Sequence, residues 1–369
     1  MLFVNFSIPY TNLSSQAAEI KTALLQAVEY VLDSGHYILG PHVSQFEKEF
    51  ASYCQATHSI GVANGTSALY LVLKALGIKE GDTVITAPNS FIASAAAIAL
   101  TGAKPVFVDI CKDMNMDPSK LEEAITSSTK VIIPVHFTGR PARMPEILAI
   151  AKKHHLFVLE DAAQAVGAKL NEKRVGGWGD AASFSFHPLK NLFAYGDAGM
   201  ITTQHNDLYN ILLRTRNHGL KNRNDCESFS FNERLDELHA AMLLVQLKHL
   251  EKWTEKRRKL AFRYNTHLQS YVDTPEEGPG EYHVYQTYMI QADHRDRLMK
   301  YLNDAGVEAI IHYPTPIHLQ TAANYLQYRK EDFPETLNIT SRILSLPLHP
   351  SMTFEQQDHV IALIRQFYG

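Results

Sequence analysis

Residues 130–161 read KVIIPVHFTGRPARMPEILAIAKKHHLFVLED. The runs Lys130–Val135 and Leu156–Asp161 are short, branched and largely apolar, as strands covered on both faces should be. Between them lies the helical pattern Met144–His154. A strand, a helix and a second strand in that order argue for parallel strands joined by a crossover helix.

The alternation extends in both directions. Upstream, Ser59–Ala63 precedes a helix at Thr66–Leu76, Thr83–Ala87 precedes Ser90–Leu100, and Pro105–Asp109 precedes Leu121–Ile125. Downstream, Ala182–Phe186 and Gly199–Thr203 read as further strands. Two helices lead in. Ser14-Ser15 open one that carries Ile20, Leu24, Val28 and Leu32 on a face and closes at Gly35. Pro41 opens the next, with Val43, Phe46 and Phe50 at helical spacing.

A helical stretch from Glu233 to Tyr271 ends at Thr274–Glu281, rich in Pro, Gly and acid, which marks a boundary. Beyond it come a strand Tyr285–Gln291, a helix Arg295–Ala305, a strand Val307–Ile311 and a helix Phe354–Phe367. The expectation is an α/β protein in two domains. Residues 1–273 form a large domain with a mostly parallel sheet flanked by helices, and residues 274–369 a small C-terminal α+β domain.

Composition narrows the function classes. A chain of 369 residues with 45% hydrophobic and 20% charged side chains is expected to be soluble and globular. A net charge of -4 provides no basic field for nucleic acid or an anionic membrane. Three cysteines with no close pair fit neither a disulfide framework nor a Cys-based metal site, so a cytoplasmic setting is expected. The N-terminus MLFVNFSIPY lacks the basic region of a signal peptide, and the longest apolar run, Ile92–Leu100, is too short to span a bilayer. No Glu-x-x-His or His-x-x-x-His pattern supports a metal. The run Lys256-Arg-Arg-Lys259 is expected to be a solvated helix face.

Three segments carry chemistry. In Gly61-Val-Ala-Asn-Gly-Thr-Ser-Ala68 a strand turns into a helix, where free N–H groups and the hydroxyls of Thr66 and Ser67 can form a phosphate socket. An ordinary N-cap explains the same residues equally well, and the lysine of a nucleotide-binding P-loop is missing. Asp161 ends an apolar strand at the carboxyl edge of the sheet, where ligands bind in open α/β folds. A carboxylate there can hold a protonated pyridine nitrogen, with Gln164 in reach of the same ligand; capping the next helix is the alternative. Lys190, in Ser183-Phe-Ser-Phe-His-Pro-Leu-Lys-Asn191, is delivered to the same edge by a strand that Pro188 stops. An amine in mostly apolar surroundings is suited to forming a Schiff base. Socket, acid and amine together match the anchors that pyridoxal phosphate needs.

With these residues, the chain resembles the DegT/DnrJ/EryC1/StrS sugar aminotransferases, within the fold type I aminotransferases. The resemblance spans almost the whole chain. It includes Gly35-His-Tyr-Ile-Leu-Gly-Pro41, Asn64-Gly-Thr-Ser67, Gly102-Ala-Lys-Pro-Val-Phe-Val-Asp109, Glu160-Asp-Ala-Ala-Gln164 and Phe184-Ser-Phe-His-Pro-Leu-Lys-Asn-Leu192, and continues through Asn232-Glu-Arg-Leu-Asp236, His312-Tyr-Pro314 and Leu346-Pro-Leu-His-Pro350.

The resemblance implies that Lys190 binds pyridoxal 5'-phosphate covalently and shuttles the proton. It further implies that Asp161 pairs with the pyridine nitrogen, Gln164 bonds the phenolic oxygen, and Phe91 stacks on the ring. Thr66, Ser67 and Ser185 would bind the phosphate, with Gly65 permitting close approach. Asn232 and Arg234 would reach a neighbouring subunit's phosphate and sugar nucleotide in a homodimer with shared sites, and His312 and Tyr313 would line the sugar pocket. The implied reaction moves an amino group from glutamate to a nucleotide-linked keto sugar. The motif around Lys190, Gly196-Asp-Ala-Gly199 and Arg216-Asn-His-Gly219 look most like enzymes acting at C3 of a dTDP-3-keto-6-deoxyhexose. Amination at C4 is the nearest rival, and a non-catalytic regulatory relative a further one. Tyr195-Gly-Asp-Ala-Gly199 departs from the Gly-Glu-Gly-Gly of many relatives, which bears on substrate choice rather than on the cofactor.

Overall fold

The computed structural model describes residues 6–369; the part of the N-terminal targeting argument that rests on Met1–Asn5 lies outside them. Helices α1 (Leu13–Ser34) and α2 (Pro41–Tyr53) come first. Then β1 (His58–Val62), α3 (Gly65–Ala75), β2 (Thr83–Thr86), α4 (Ala93–Ala99), β3 (Lys104–Phe107), β4 (Thr129–Ile133), α5 (Met144–Lys153) and β5 (Phe157–Asp161) alternate as the apolar pattern requires. The short strands β6 (Lys169–Leu170) and β7 (Lys173–Arg174) lead to β8 (Ala181–Ser185), β9 (Gly199–Thr203) and α6 (Asn206–Thr215). A small hairpin of β10 (Leu220–Asn222) and β11 (Asp225–Cys226) precedes α7 (Glu237–Leu247) and α8 (Leu250–Leu268). The remainder holds β12 (Glu281–Tyr282), β13 (Tyr288–Gln291), α9 (Arg295–Asp304), α10 (Pro334–Arg342), β14 (Ile343–Leu346) and α11 (Phe354–Tyr368).

Seven strands form the main sheet in the order β1-β9-β8-β5-β4-β2-β3. From β3 to β8 every pairing is parallel, whereas β9 runs antiparallel to both β8 and β1. Six strands therefore finish at one edge, and the reversed β9 starts there. Its first residue, Gly199, pairs with Ser185 on one side and Val62 on the other. This gathers the end of β8, the start of β9 and the turn into α3 at one point.

A methyl group on Gly199 would lie 2.4 Å from the carbonyl carbon of Asn64 and 2.9 Å from the Gly65 nitrogen. Those atoms are backbone and cannot give way cheaply. Gly199→Ala is expected to displace the Asn64–Gly65 turn, cost about 1–3 kcal/mol of stability as overpacking does, and weaken phosphate retention. Thermal melts of the apo protein and titration with pyridoxal phosphate check both effects.

Helix α2 buries Val43, Phe46 and Phe50 in one cluster with Phe184 and Phe186. Its N-terminus is held by the Glu237 carboxylate, which accepts the N–H groups of Gly40, His42 and Val43 and so satisfies donors that have no helical partner. A separate core joins Ile8, Leu260, Tyr264 and Leu268 to Tyr288, Ile290, Leu344, Leu346 and Val360.

Four local expectations change. In α1 the buried residues are Gln16, Ile20, Leu24 and Val31, while Leu32 is exposed, because the buried stripe passes through Val31 rather than Val28 and Leu32. The long helix from Glu233 is two helices that turn at Lys248–His249, since α7 packs on α1 and α2 whereas α8 packs on α11. Leu121–Ile125 is reduced to short 3-10 turns. Val307–Ile311 makes only isolated bridges, because the N–H groups of Glu308, Ala309 and Ile310 go to three separate partners: Ile8, Asn303 and Ser345.

The Lys256–Lys259 run is not simply solvated. Arg257 is buried and donates to the Leu348 carbonyl at 2.8 Å, and Arg258 lies over the Tyr282 ring and pairs with Glu277. Long side chains with hydrogen-bonded heads can be core elements despite their charge. Among the described residues no helix is long and apolar enough to cross a membrane, and no group of three or more His, Cys, Asp or Glu is placed to hold a metal ion.

Candidate active site

A cavity of about 670 Å³ opens at the carboxyl edge of the sheet. Gly65, Thr66, Ser67, Phe91, Asp161, Gln164, Ser185, Lys190, His312 and Tyr313 all line it, although they come from widely separated stretches of the chain. Asn232 and Arg234 do not. Asn232 is exposed, and Arg234 donates to the Asn217 side chain at 2.9 Å.

One end of the cavity is the start of α3. The Asn64 side chain accepts the Ser67 N–H at 2.8 Å, and the other first-turn N–H groups have no partner inside the helix. Gly65 is packed so closely that an added Cβ would lie 2.8 Å from the Ser185 Cβ. Ser183 Oγ donates to the Gly65 carbonyl at 3.0 Å and ties β8 to this turn. The Ser67 hydroxyl donates to Glu233 Oε2 at 2.6 Å. Backbone donors and hydroxyls fit a phosphate, and Gly65 is what lets β8 bring Ser185 up against them.

The middle of the cavity holds the carboxylate. Asp161 is buried, and its Oδ2 accepts from Ser94 Oγ at 2.7 Å, which in turn accepts from Ser90 Oγ at 3.1 Å. Its Oδ1 accepts the Ala163 N–H at 3.2 Å. The neighbouring Glu160 points the other way along the pleat. There it accepts the N–H groups of Gly176, Trp178 and Gly179 and the ring nitrogen of His136, all at 2.7–2.9 Å. Gln164 Oε1 accepts the Thr138 N–H at 2.8 Å, so the amide is oriented with Nε2 available as a donor. Phe91 is half exposed, with its ring centroid 5.5 Å from that of Tyr313.

Lys190 follows β8 in a short turn closed by its own N–H to the His187 carbonyl at 2.8 Å. Asn191 locks that turn, taking the Gln286 side chain and the Val284 carbonyl as partners. Burial pushes the Lys190 ammonium down to about 8, against the pull of the Asp161 charge. His312 is pushed down to about 4 by burial and by Lys190, so it is a neutral imidazole at pH 7, with Nδ1 3.0 Å from Ser345 Oγ.

The Lys190 shift has a sign that can be tested. Its folded value lies below the value of about 10.4 for a solvated lysine, so the folded state disfavours the ammonium. The resulting penalty is complete below about pH 8 and disappears as pH rises toward 10.4. Apo Lys190→Met is therefore expected to melt higher than the apo wild type at pH 7, with the gap narrowing between pH 8 and 10. A gap that is constant across that window would contradict the burial.

Several lining residues escaped the sequence. Tyr10, Gln286 and Thr287 also face the cavity, as do His187 and Asp197. Tyr10 donates to Thr287 at 3.3 Å, and its ring centroid lies 5.4 Å from that of His312, with the planes tilted by 39°. None of Tyr10, Gln286 and Thr287 lies in a recognisable motif. Ser94 is the second residue of α4, in an alanine-rich segment that reads as core; the polar residue among apolar ones is the only signal there.

Comparison with known proteins agrees with this geometry. Residues 18–365 match the DegT/DnrJ/EryC1/StrS aminotransferase family. A pleiotropic regulatory protein of Geobacillus stearothermophilus is 44% identical over 98% of this chain and 99% of its own length. The dTDP-3-amino-3,6-dideoxy-alpha-D-galactopyranose transaminase of Aneurinibacillus thermoaerophilus is 41% identical, again over 98% and 99%. The crystal structure of S. venezuelae DesV in complex with a ketimine intermediate superposes with a TM-score of 0.96 at 37% identity, covering 98% of each chain. With the family match running through nearly its full length, the chain belongs to the DegT/DnrJ/EryC1/StrS aminotransferase family.

Proposed function

We propose that this protein is a pyridoxal-phosphate-dependent aminotransferase that transfers an amino group from glutamate to C3 of a dTDP-linked 3-keto-6-deoxyhexose. The observation that carries the reading is the amine of Lys190, depressed to about 8 and sharing one cavity with Asp161 and the first turn of α3. Family solved structures in cofactor-bound forms and the naming of relatives as sugar transaminases support the cofactor and the substrate class.

When bound, pyridoxal phosphate supplies an electron sink beside the reacting nitrogen. The protein's own groups do the rest. Thr66, Ser185 and the free first-turn N–H groups of α3 would hold the phosphate, Ser67 would join them once its hydroxyl turns from Glu233, and Gly65 lets Ser185 come close enough to share the task. Asp161 keeps the ring nitrogen protonated, and Gln164 Nε2 donates to the phenolic oxygen. Phe91 covers a ring face and keeps water from it. Lys190 anchors the cofactor and then moves the proton at the substrate carbon, a task suited to an amine that titrates near neutrality. His312 and Tyr313 flank the sugar. Asn232 and Arg234, which lie outside this cavity, serve the partner's site in a homodimer.

The test is incubation of the pure protein with glutamate and with dTDP-linked 3-keto and 4-keto sugars. Glutamate should bleach the yellow cofactor band, and the 3-keto sugar should restore it while gaining an amine. Turnover of the 4-keto sugar alone would relocate the amination to C4. A band indifferent to glutamate would point to a non-catalytic regulator and end the aminotransferase reading.

A further inference from the structure

The hydrogen-bond chain that orients Gln164 runs on behind the cavity. The Thr138 N–H on Gln164 Oε1 belongs to a residue in the left-handed region, at φ 60° and ψ 0°, which a β-branched side chain rarely adopts. Thr138 is buried; its hydroxyl donates to the Phe137 carbonyl at 2.6 Å and lies 3.1 Å from His283 Nε2. The other ring nitrogen of His283, Nδ1, accepts the Tyr285 N–H at 2.7 Å. With Nδ1 an acceptor, the ring proton is on Nε2 and points at Thr138 Oγ1, so each bond in the chain has one direction. His283 is itself fixed. It is buried, stacks on the Tyr285 ring with centroids 3.9 Å apart, and its carbonyl accepts from Arg258 at 2.7 Å. Burial and the charges of Arg140 and Arg258 hold the imidazole well below its ordinary value, which keeps it neutral at pH 7.

We propose that His283 is a positioning residue of this active site, holding Thr138 so that its N–H fixes Gln164 with the amide donor toward the cofactor's phenolic oxygen. The role rests on the bond from Gln164 to that oxygen given under the proposed function. An amide can present either end to a ligand, and only one end donates. A fixed N–H on Oε1 leaves Nε2 as the free end. Backbone in a sparsely populated region persists only where its surroundings over-determine it. At Thr138 the restraints include the His283 bond to the side chain and the Thr287 N–H on the carbonyl, at 3.3 Å. His283 lies just after β12, and Thr287 just before β13. The segment between them also holds the Lys190 turn through Val284 and Gln286, so a variant that loosened it would reach the amine as well.

The pH midpoint at which the holoprotein's yellow band changes form tests this. Losing the Gln164 donor leaves the phenolic oxygen more basic, because hydrogen bonds favour the charged form, so the midpoint rises. Asparagine and glutamine divide the histidine between them. The Asn oxygen stands near the Nδ1 position and can accept the Tyr285 N–H, whereas the Gln amide stands near Nε2 and can donate to Thr138. His283→Asn should therefore raise the midpoint by roughly 0.5–1 pH unit, the yield of one hydrogen bond, and His283→Gln should restore the wild-type value. Thr138→Val, which keeps the branch and removes the hydroxyl, should match His283→Asn and replaces it if apo melts show that the Asn variant does not fold. Gln164→Ala should raise the midpoint too, with no further rise when His283→Asn is added. A midpoint moved by Gln164→Ala but not by His283→Asn or Thr138→Val, a shift in the Gln variant rather than the Asn one, or additive shifts in the double variant would each overturn the relay. No shift in Gln164→Ala would strike the Gln164 assignment and the relay with it. Failure of glutamate to bleach wild type would strike the aminotransferase reading instead, and the midpoints would still judge His283.

Discussion

Lys190→Ala is expected to lower turnover by roughly 10⁴-fold, the upper range for loss of a positioned proton carrier, because the same residue is also the covalent anchor. Among the described residues no other lysine lines the cavity, so none of them offers a second amine to take over. The fold should persist, since the Lys190 turn is held by its backbone and by Asn191 rather than by the amine. Borohydride reduction of the holoprotein followed by peptide mass analysis gives the direct readout. A pyridoxyl mass should appear on the Lys190 peptide of the wild type and be absent from the variant. Label on any other lysine of the wild type would remove the basis of the proposed chemistry.

Asp161→Asn is expected to slow the glutamate half-reaction by about 10²–10³-fold, in the range for loss of one preorganised electrostatic group. The substitution keeps the shape and removes the charge. The single oxygen of asparagine can accept from Ser94 Oγ or from the Ala163 N–H, and Lys190 is untouched, so the cofactor should remain covalently bound and the protein yellow. Single-turnover bleaching separates the two effects. A slow rate with the band intact indicates loss of the electron sink, whereas loss of the band would mean that Asp161 chiefly retains the cofactor. A rate within a few-fold of wild type would remove Asp161 from the chemistry.

Much of this architecture is legible in the order of the residues. Continuous apolar strands such as Val131–Ile133 and Val158–Leu159 announce a doubly covered parallel sheet, and Asp161 and Lys190 declare themselves by standing where such strands stop. What the sequence hides depends on partners distant along the chain. Arg257 reads as a solvent-facing charge until Leu348, 91 residues away, supplies its acceptor. Val307–Ile311 has a strand's composition, yet its N–H groups find three unrelated partners. Ser94 joins the site only because α4, packed on β2 and β3, starts close enough to the end of β5 to bring its hydroxyl to Asp161. Tyr10 arrives from before α1, a placement that no local pattern encodes.

The reversed strand β9 bears on which changes of length the protein can accept. Ser185 and Gly199 are paired across the ladder, so the thirteen residues between them form a loop with both ends nailed down. Removing one residue between Ser185 and Lys190 would drag the amine by up to ~3.5 Å, the reach of a single link of chain. The same deletion between Tyr195 and Gly199 would instead strain the opposite stem. Natural or engineered variation should therefore swap side chains within this loop and leave its residue count alone.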